Sequence, residues 1–285
     1  MKIAEIIKTL LSSKVGKVGV AFFLLLVVVS LYVVTTYPTN FGEIWKNSPV
    51  WKDNPSNVPP AWTNIFSQST QVAHTTFKAT EPSQVTAGTN ETTFVFYTFE
   101  LNYDYDEFPT FTSFAIDNVT YHSLPPIITL TIARPDGREI LLYRHVVLGP
   151  TPGEAMPISR YTEAPHRVYL SGDDTVLFNT ADYLRKDFGL DIATSELRGM
   201  IDKVIFGNPT GEGQDFDLLQ GTYNITATAR TYHADDNIGE VTFVLGGSVY
   251  GFMGTDSQGR DLATGLLFGF PIALLIGLST AILTT

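Results

Sequence analysis

The chain contains no cysteine, so disulfides, thiolate metal sites and cysteine nucleophiles are all excluded. Positive charge is scarce: 18 Lys and Arg stand against 29 Asp and Glu, a formal charge of −11 over 285 residues. Four of the cations, Lys2, Lys8, Lys14 and Lys17, fall in the first 17 residues against the single Glu5, a local net of +3. The remaining 268 residues therefore carry 14 excess negative charges, and so acidic a body offers no basic face for phosphate. Nucleic acid is not an expected partner. There is no GxxxxGK[ST] phosphate loop, no HExxH pair among His74, His122, His145, His166 and His233, and no nucleophile elbow, since Tyr250 replaces the second glycine in GGSVYG around Ser248. No metal site, cofactor or catalytic residue follows from spacing, and no enzymatic activity is expected.

Charge is also missing from two long runs. Val18 to Val34 (VGVAFFLLLVVVSLYVV) is followed by uncharged residues through Gly42, long enough for a helix of about 20 residues to cross a bilayer core of about 30 Å. The run is longer than a secretory signal needs, and TTYPTNF follows it rather than a small-residue cleavage site, so a retained span is expected. Lysines precede it and none occur in the eleven residues after it, which orients the N-terminus to the cytoplasm and residues 38–261 to the outside of the cell membrane. MKIAEIIKTLLSSK ahead of it has amphipathic spacing suited to the inner leaflet. The second run, Leu262 to Thr285, has Gly265, Gly269 and Gly277 for close helix contacts and Pro271 for a kink. No basic flank follows it, from which a chain cut short is expected.

Four segments follow. Residues 1–37 read as a cytoplasmic amphipathic stretch and first span, and residues 38–69 as a juxtamembrane segment. The latter is extended over Pro38 to Pro60, with its five prolines and with Trp45, Trp51 and Trp62 nearby. Residues 70–252 read as an external β-sandwich. Its strands are Thr92 to Leu101, Ile127 to Ala133 and Glu139 to Leu148, the last two joined by the tight turn RPDGR. Gly221 to Tyr232 alternates, with Tyr223, Ile225, Ala227 and Ala229 on one face, and Gly239 to Tyr250 reads as its partner. Two short helices, Thr180 to Asp187 and Thr194 to Ile201, are expected around Gly189. Residues 253–285 hold the last motif and the start of a second span. The fold class expected is thus mainly β and membrane-anchored.

Within the sandwich the acidic clusters at Asp104, Asp106 and Glu107, at Asp173 and Asp174, at Asp215 and Asp217, and at Asp235 and Asp236 lack the ligand spacing of a calcium loop and read as solvated turns. His145 reads as a core or edge residue of a strand. Asn90, Asn118 and Asn224 each open an N-x-[ST] sequon, and external placement makes them glycosylation candidates.

The most informative stretch is MGTDSQGRDLATGLLFGFPIALLIGL from Met253. Charges there sit where the chain turns into an apolar run, and Arg260 can pair with either neighbouring carboxylate. Gly254, Thr255, Asp256, Gly259, Arg260 and Asp261 form a GTDxxGRD core that resembles the permease subunit, the C-type partner, of dipeptide and oligopeptide ABC transporters. The enlarged domain between the two spans looks like that of archaeal-type members. The resemblance implies a structural, gate-region role for these six residues and a translocation path shared with a second permease subunit. It also implies two cytoplasmic ATPase subunits that bind the ATP, and an external solute-binding protein. The sequence departs from the family at Phe270 and Pro271, where an arginine is usual, and it ends before any EAA-type coupling loop. A surface-anchored β-sandwich for adhesion or assembly is the alternative, with an anchored hydrolase third.

Overall fold

The computed structural model describes residues 11–89, 92–211 and 215–284. Most of the amphipathic stretch, residues 1–10, and the sequon at Asn90 lie outside the described residues. The chain divides into two compact units, one built from its two ends (Met1–Asn57 with Gly251–Thr285), the other from Val58–Tyr250.

The unit of the two ends is helical. Helix α1 (Lys14–Thr36) starts at Ser13, whose Oγ accepts the Gly16 N–H at 2.9 Å and satisfies one orphan donor of the first turn. The last helix, numbered α6 below in chain order, spans Leu262–Thr284 with Pro271 inside it. Each has 23 residues and is long and apolar enough to cross a membrane. Residues 38–60 are not extended as the prolines suggested. Within this unit, which the chain leaves after Asn57, the segment holds a short helix α2 (Phe41–Lys46) and a 3-10 turn (Ser48–Trp51). The prolines are compatible with this because Pro49 stands in the first turn of the 3-10 segment, where no N–H is required.

The middle unit is mainly β and sandwich-like. Its strands are β1 (Thr75–Ala79), β2 (Gln84–Ala87), β3 (Thr93–Tyr103), β4 (Phe111–Tyr121), β5 (Ile127–Ala133), β6 (Glu139–Val146), β7 (Ile158–Arg160), β8 (His166–Tyr169), β9 (Gly207–Thr210), β10 (Asp215–Leu218), β11 (Gly221–Thr231) and β12 (Asn237–Gly246). One antiparallel sheet runs β1-β12-β4-β7, with β8 also on β4; another runs β2-β3-β11-β5-β6; β9 and β10 form a separate ladder. Strict alternation drives the second sheet: Tyr223, Ile225, Ala227 and Ala229 of β11 are buried while Asn224 is exposed, and Ile128, Leu130 and Ile132 of β5 point the same way. They join Phe114, Ile116, Phe243 and Leu245 of the first sheet in one core.

The expected hairpin at RPDGR forms, with Gly137 at φ 80° where a side chain would be strained. The expected pairing of β11 with the strand after it does not form. β11 pairs with β3 and β5, whereas β12 pairs with β4 and β1, so residues 232–236 carry the chain from one sheet to the other. Each strand has its own partners on both sides, and the crossover lets both bury an apolar face in the shared core.

Three helices lie between β8 and β9: α3 (Asp174–Phe188), α4 (Thr194–Leu197) and α5 (Ile201–Phe206). α3 begins six residues earlier than the expected Thr180, because Asp173 caps it by accepting the N–H groups of Thr175 and Val176 at 2.9 and 3.2 Å. Phe206 of α5 packs against Tyr103 and Tyr223, with ring centroids 4.6 and 5.0 Å apart. Asp202, on the same helix, is buried and accepts hydrogen bonds from Thr112 and Ser171, both at 2.6 Å.

Candidate functional site

The GTDxxGRD residues form one hydrogen-bonded collar at the entrance of α6. Asp256 turns the chain back on itself. Its Oδ1 accepts the N–H groups of Gln258 and Arg260 at 2.9 and 3.0 Å, and its Oδ2 takes the Arg260 guanidinium through Nε and Nη2, each at 2.6 Å. Burial alone would raise the Asp256 carboxyl, but the Arg260 side chain and the two backbone donors outweigh it and hold the group below the ordinary carboxylate range. Gly254 and Gly259, at φ 74° and 73°, supply the left-handed backbone that the reversal requires.

Sequence alone left open which carboxylate takes Arg260, and the structure separates the two. Asp256 is the ion-pair partner. Asp261 is the helix cap: its Oδ1 accepts the Ala263 N–H at 2.9 Å and its Oδ2 the Thr264 hydroxyl at 2.7 Å, placing negative charge at the positive end of α6. The Gly265 N–H donates to the Asp261 carbonyl at 3.1 Å and continues the helix.

The collar is fastened to the segment that follows α2. Asn54 Nδ2 donates to the Gly259 carbonyl at 2.9 Å, the Thr255 hydroxyl to the Pro55 carbonyl at 2.7 Å, and the Asn57 N–H to the Asp256 carbonyl at 2.9 Å. Gly259 is needed for a second reason: a Cβ there would lie 3.0 Å from the carbonyl oxygens of both Asn54 and Trp51. Trp45 of α2 lies under the Arg260 guanidinium, 4.7 Å from its ring centroid. Its ring also occupies the space over Gly265, where an added Cβ would meet Cη2 at 2.5 Å.

Beside the collar the end of α1 meets the start of α6. Tyr37 packs edge-on to Phe268 at 5.4 Å, and Phe41 stacks on the same ring at 3.4 Å. Val33 and Ser30 are the buried residues of α1, and among the described residues the Ser30 hydroxyl meets no hydrogen-bond partner. Along α6 an apolar groove of about 790 Å³, lined by residues including Phe41, Trp45, Met253, Leu266, Phe268 and Ile272, lies open. The outer faces of both helices, with Phe22, Leu25, Leu275, Ile276 and Leu283, are exposed apolar surface. Apolar patches of this extent mark surfaces made for lipid or for other chains.

The other sequence candidates fall in the sandwich unit. Asn118 and Asn224 are both exposed. Asn118 sits at φ 51° in β4, opposite Gly239, where a Cβ would come within 2.6 Å of its own. His145 lies at the edge between the sheets, as a strand residue should, but not among aliphatic neighbours. It stacks on His166 at 3.9 Å and meets Tyr161 Oη through Nε2 at 2.7 Å, while Tyr143 Oη lies 2.9 Å from His166 Nε2. Burial, helped by the neighbouring His166, lowers His145 to about 4. Asp236 is not a solvated turn residue: its side chain is fully covered and is brought beside His122 and His233. His122 lies 111 positions from His233 and 114 from Asp236, which no local spacing reveals.

No protein-family model matches the chain, and no curated protein matches it. Among solved structures, that of TmCBM61 in complex with beta-1,4-galactotriose overlaps 68% of this chain and 95% of that one, at 11% identity and a TM-score of 0.21. At that score the likeness carries no argument about the fold or ligands of this chain.

Proposed function

We propose that the chain is a membrane-spanning permease subunit of an ABC importer for peptides or related small solutes. In this reading α1 and α6 cross the cell membrane, the N-terminus is cytoplasmic, and residues 38–261 face outward with the collar at the outer boundary. The observation that carries it is the collar itself. Asp256, Arg260 and Asp261 are each satisfied within one structure seated where a helix long enough to span begins. Charge is tolerated at a water–lipid boundary and not within the hydrocarbon. A fixed collar there positions the helix entrance without taking part in chemistry, in keeping with a gate-region role.

The open groove and the exposed faces of the two helices support the same reading. Further permease helices and a second permease subunit would pack into the groove beside α6. Two cytoplasmic ATPase subunits would drive alternating access, and an external solute-binding protein would deliver the solute to the outward side.

The experiment is to isolate the tagged chain from its native membranes and measure peptide uptake by the reconstituted assembly. The proposal expects co-isolation of a second permease and two ATPases, and ATP-dependent uptake that falls at least about tenfold in Arg260→Ala, equivalent to roughly 1.4 kcal/mol. Isolation of the chain without ATPases would leave the surface-anchored β-sandwich as the better reading.

A further inference from the structure

We propose that His122, His233 and Asp236 form a binding site for one divalent transition-metal ion of the zinc class, which fastens the crossover between the two sheets. His122 directly follows β4 of the first sheet, and His233 and Asp236 lie in the connection that brings the chain from β11 to β12. One ligand atom from each lies within 4.8 Å of the other two, and the imidazoles of His122 and His233 stack with centroids 5.0 Å apart.

The carboxylate is prepared for this role. The Asp236 side chain has no exposed surface, and its Oδ2 accepts the N–H groups of Tyr232 and His233 at 2.9 and 3.0 Å. Its Oδ1 accepts the His122 N–H at 2.8 Å, which leaves one lone pair over. That lone pair faces His122 Nδ1 at 3.4 Å. This is long for a hydrogen bond with an ionised acceptor. It matches the roughly 3.3 Å that separates two donors on one tetrahedral zinc ion with bonds of about 2.0–2.1 Å.

His233 offers its other nitrogen. Asp235 Oδ2 stands 3.7 Å from His233 Nδ1, and the Asp235 N–H donates to that nitrogen at 3.2 Å. When Nε2 takes the metal, Nδ1 carries the proton and turns to the Asp235 carboxylate, the arrangement in which a second carboxylate fixes the tautomer of a metal-bound imidazole. Two imidazoles and one carboxylate suit zinc-class ions, whereas magnesium and calcium favour all-oxygen sites. A hollow of about 180 Å³, bounded by residues including Tyr97, Thr231, His233, Asp236 and Asn237, adjoins the site and leaves room for a water or a small ligand in a fourth position.

Zn²⁺ is titrated into the tag-free, full-length chain in detergent by calorimetry, with Co²⁺ absorption reporting tetrahedral ligation. The inference expects one ion per chain, a thermal midpoint raised by Zn²⁺ but not by Mg²⁺, and a tetrahedral Co²⁺ spectrum. His122→Gln and His233→Gln, both at partly exposed positions, should each lower affinity by at least the roughly 10- to 100-fold that loss of an outer partner costs. Asp236→Asn should abolish binding. Absence of saturable Zn²⁺ binding in the unaltered chain, or binding that persists in the His122→Gln/His233→Gln double variant with unchanged circular dichroism, would overturn it.

Discussion

Gly265 and Trp45 form a pair whose coupling can be worked out before it is measured. Replacing a helical glycine by alanine gains about 0.8–1 kcal/mol of helix propensity, so Gly265→Ala should stabilise the first turns of α6 if nothing stands in the way. Trp45 stands in the way. The new Cβ meets ring atoms Cη2, Cζ3 and Cζ2 at 2.5, 3.0 and 3.1 Å, and the ring is held on its other sides by Phe41, Trp51 and Arg260. Overpacking of this kind costs about 1–3 kcal/mol, so the net effect should be a loss of roughly 0–2 kcal/mol. With Trp45→Ala already in place the clash is gone, and the same substitution should stabilise by up to about 1 kcal/mol. The sign therefore reverses between backgrounds, a coupling of about 1–3 kcal/mol. Hydrogen–deuterium exchange of the segment 262–272 in detergent micelles reads this locally, each tenfold change in protection being about 1.4 kcal/mol. Equal effects of Gly265→Ala in both backgrounds would refute the packing of Trp45 over the entrance of α6.

Two further outcomes concern pH and stability. Burial raises the Asp202 carboxyl, so the folded chain keeps that proton to higher pH than the unfolded one. The stability it contributes is full below the ordinary carboxylate value and is lost as pH rises through the raised one. Asp202→Asn, which retains both hydroxyl contacts, should flatten this loss in denaturant titrations across acidic and neutral pH, and an unaltered slope would count against the buried acid. His74 and His145 are lowered in the folded chain to about 4, chiefly by burial, and His166 is lowered in the same way. The unfolded chain takes up these protons first, so stability should fall as pH drops from about 6.5 towards 4. His145→Gln should blunt the fall, and a profile identical to that of the unaltered chain would contradict the buried, neutral imidazole.

Features governed by short-range physics were legible in the sequence. The charge-free runs gave both long helices, alternation gave the buried face of β11, and Pro-Asp-Gly gave the turn at Gly137. Features decided by distant partners were not. Strands adjacent in sequence usually pair, yet β11 and β12 each find better partners elsewhere, and nothing local marks residues 232–236 as a crossover. Asp173 looks from sequence like part of a solvated acidic cluster, yet the same carboxylate starts α3. The motif residues were found as a set, but the division of labour between Asp256 and Asp261 depends on the reversal at Gly259, which only the three-dimensional chain path displays. His122 and Asp236 meet only because β4 and the crossover end at the same place.

The proposed membrane topology rests on the side of the bilayer where the collar lies. Because the chain has no cysteine, any cysteine placed in it is a unique label. Intact cells carrying Gln258→Cys in the collar, Glu139→Cys in the sandwich or Ser12→Cys before α1 can each be treated with a membrane-impermeant maleimide. The first two should label on intact cells, and Ser12→Cys only after the membrane is opened. Labelling of Ser12→Cys from outside, or protection of Gln258→Cys until permeabilisation, would contradict the proposed outward-facing collar and with it the permease proposal.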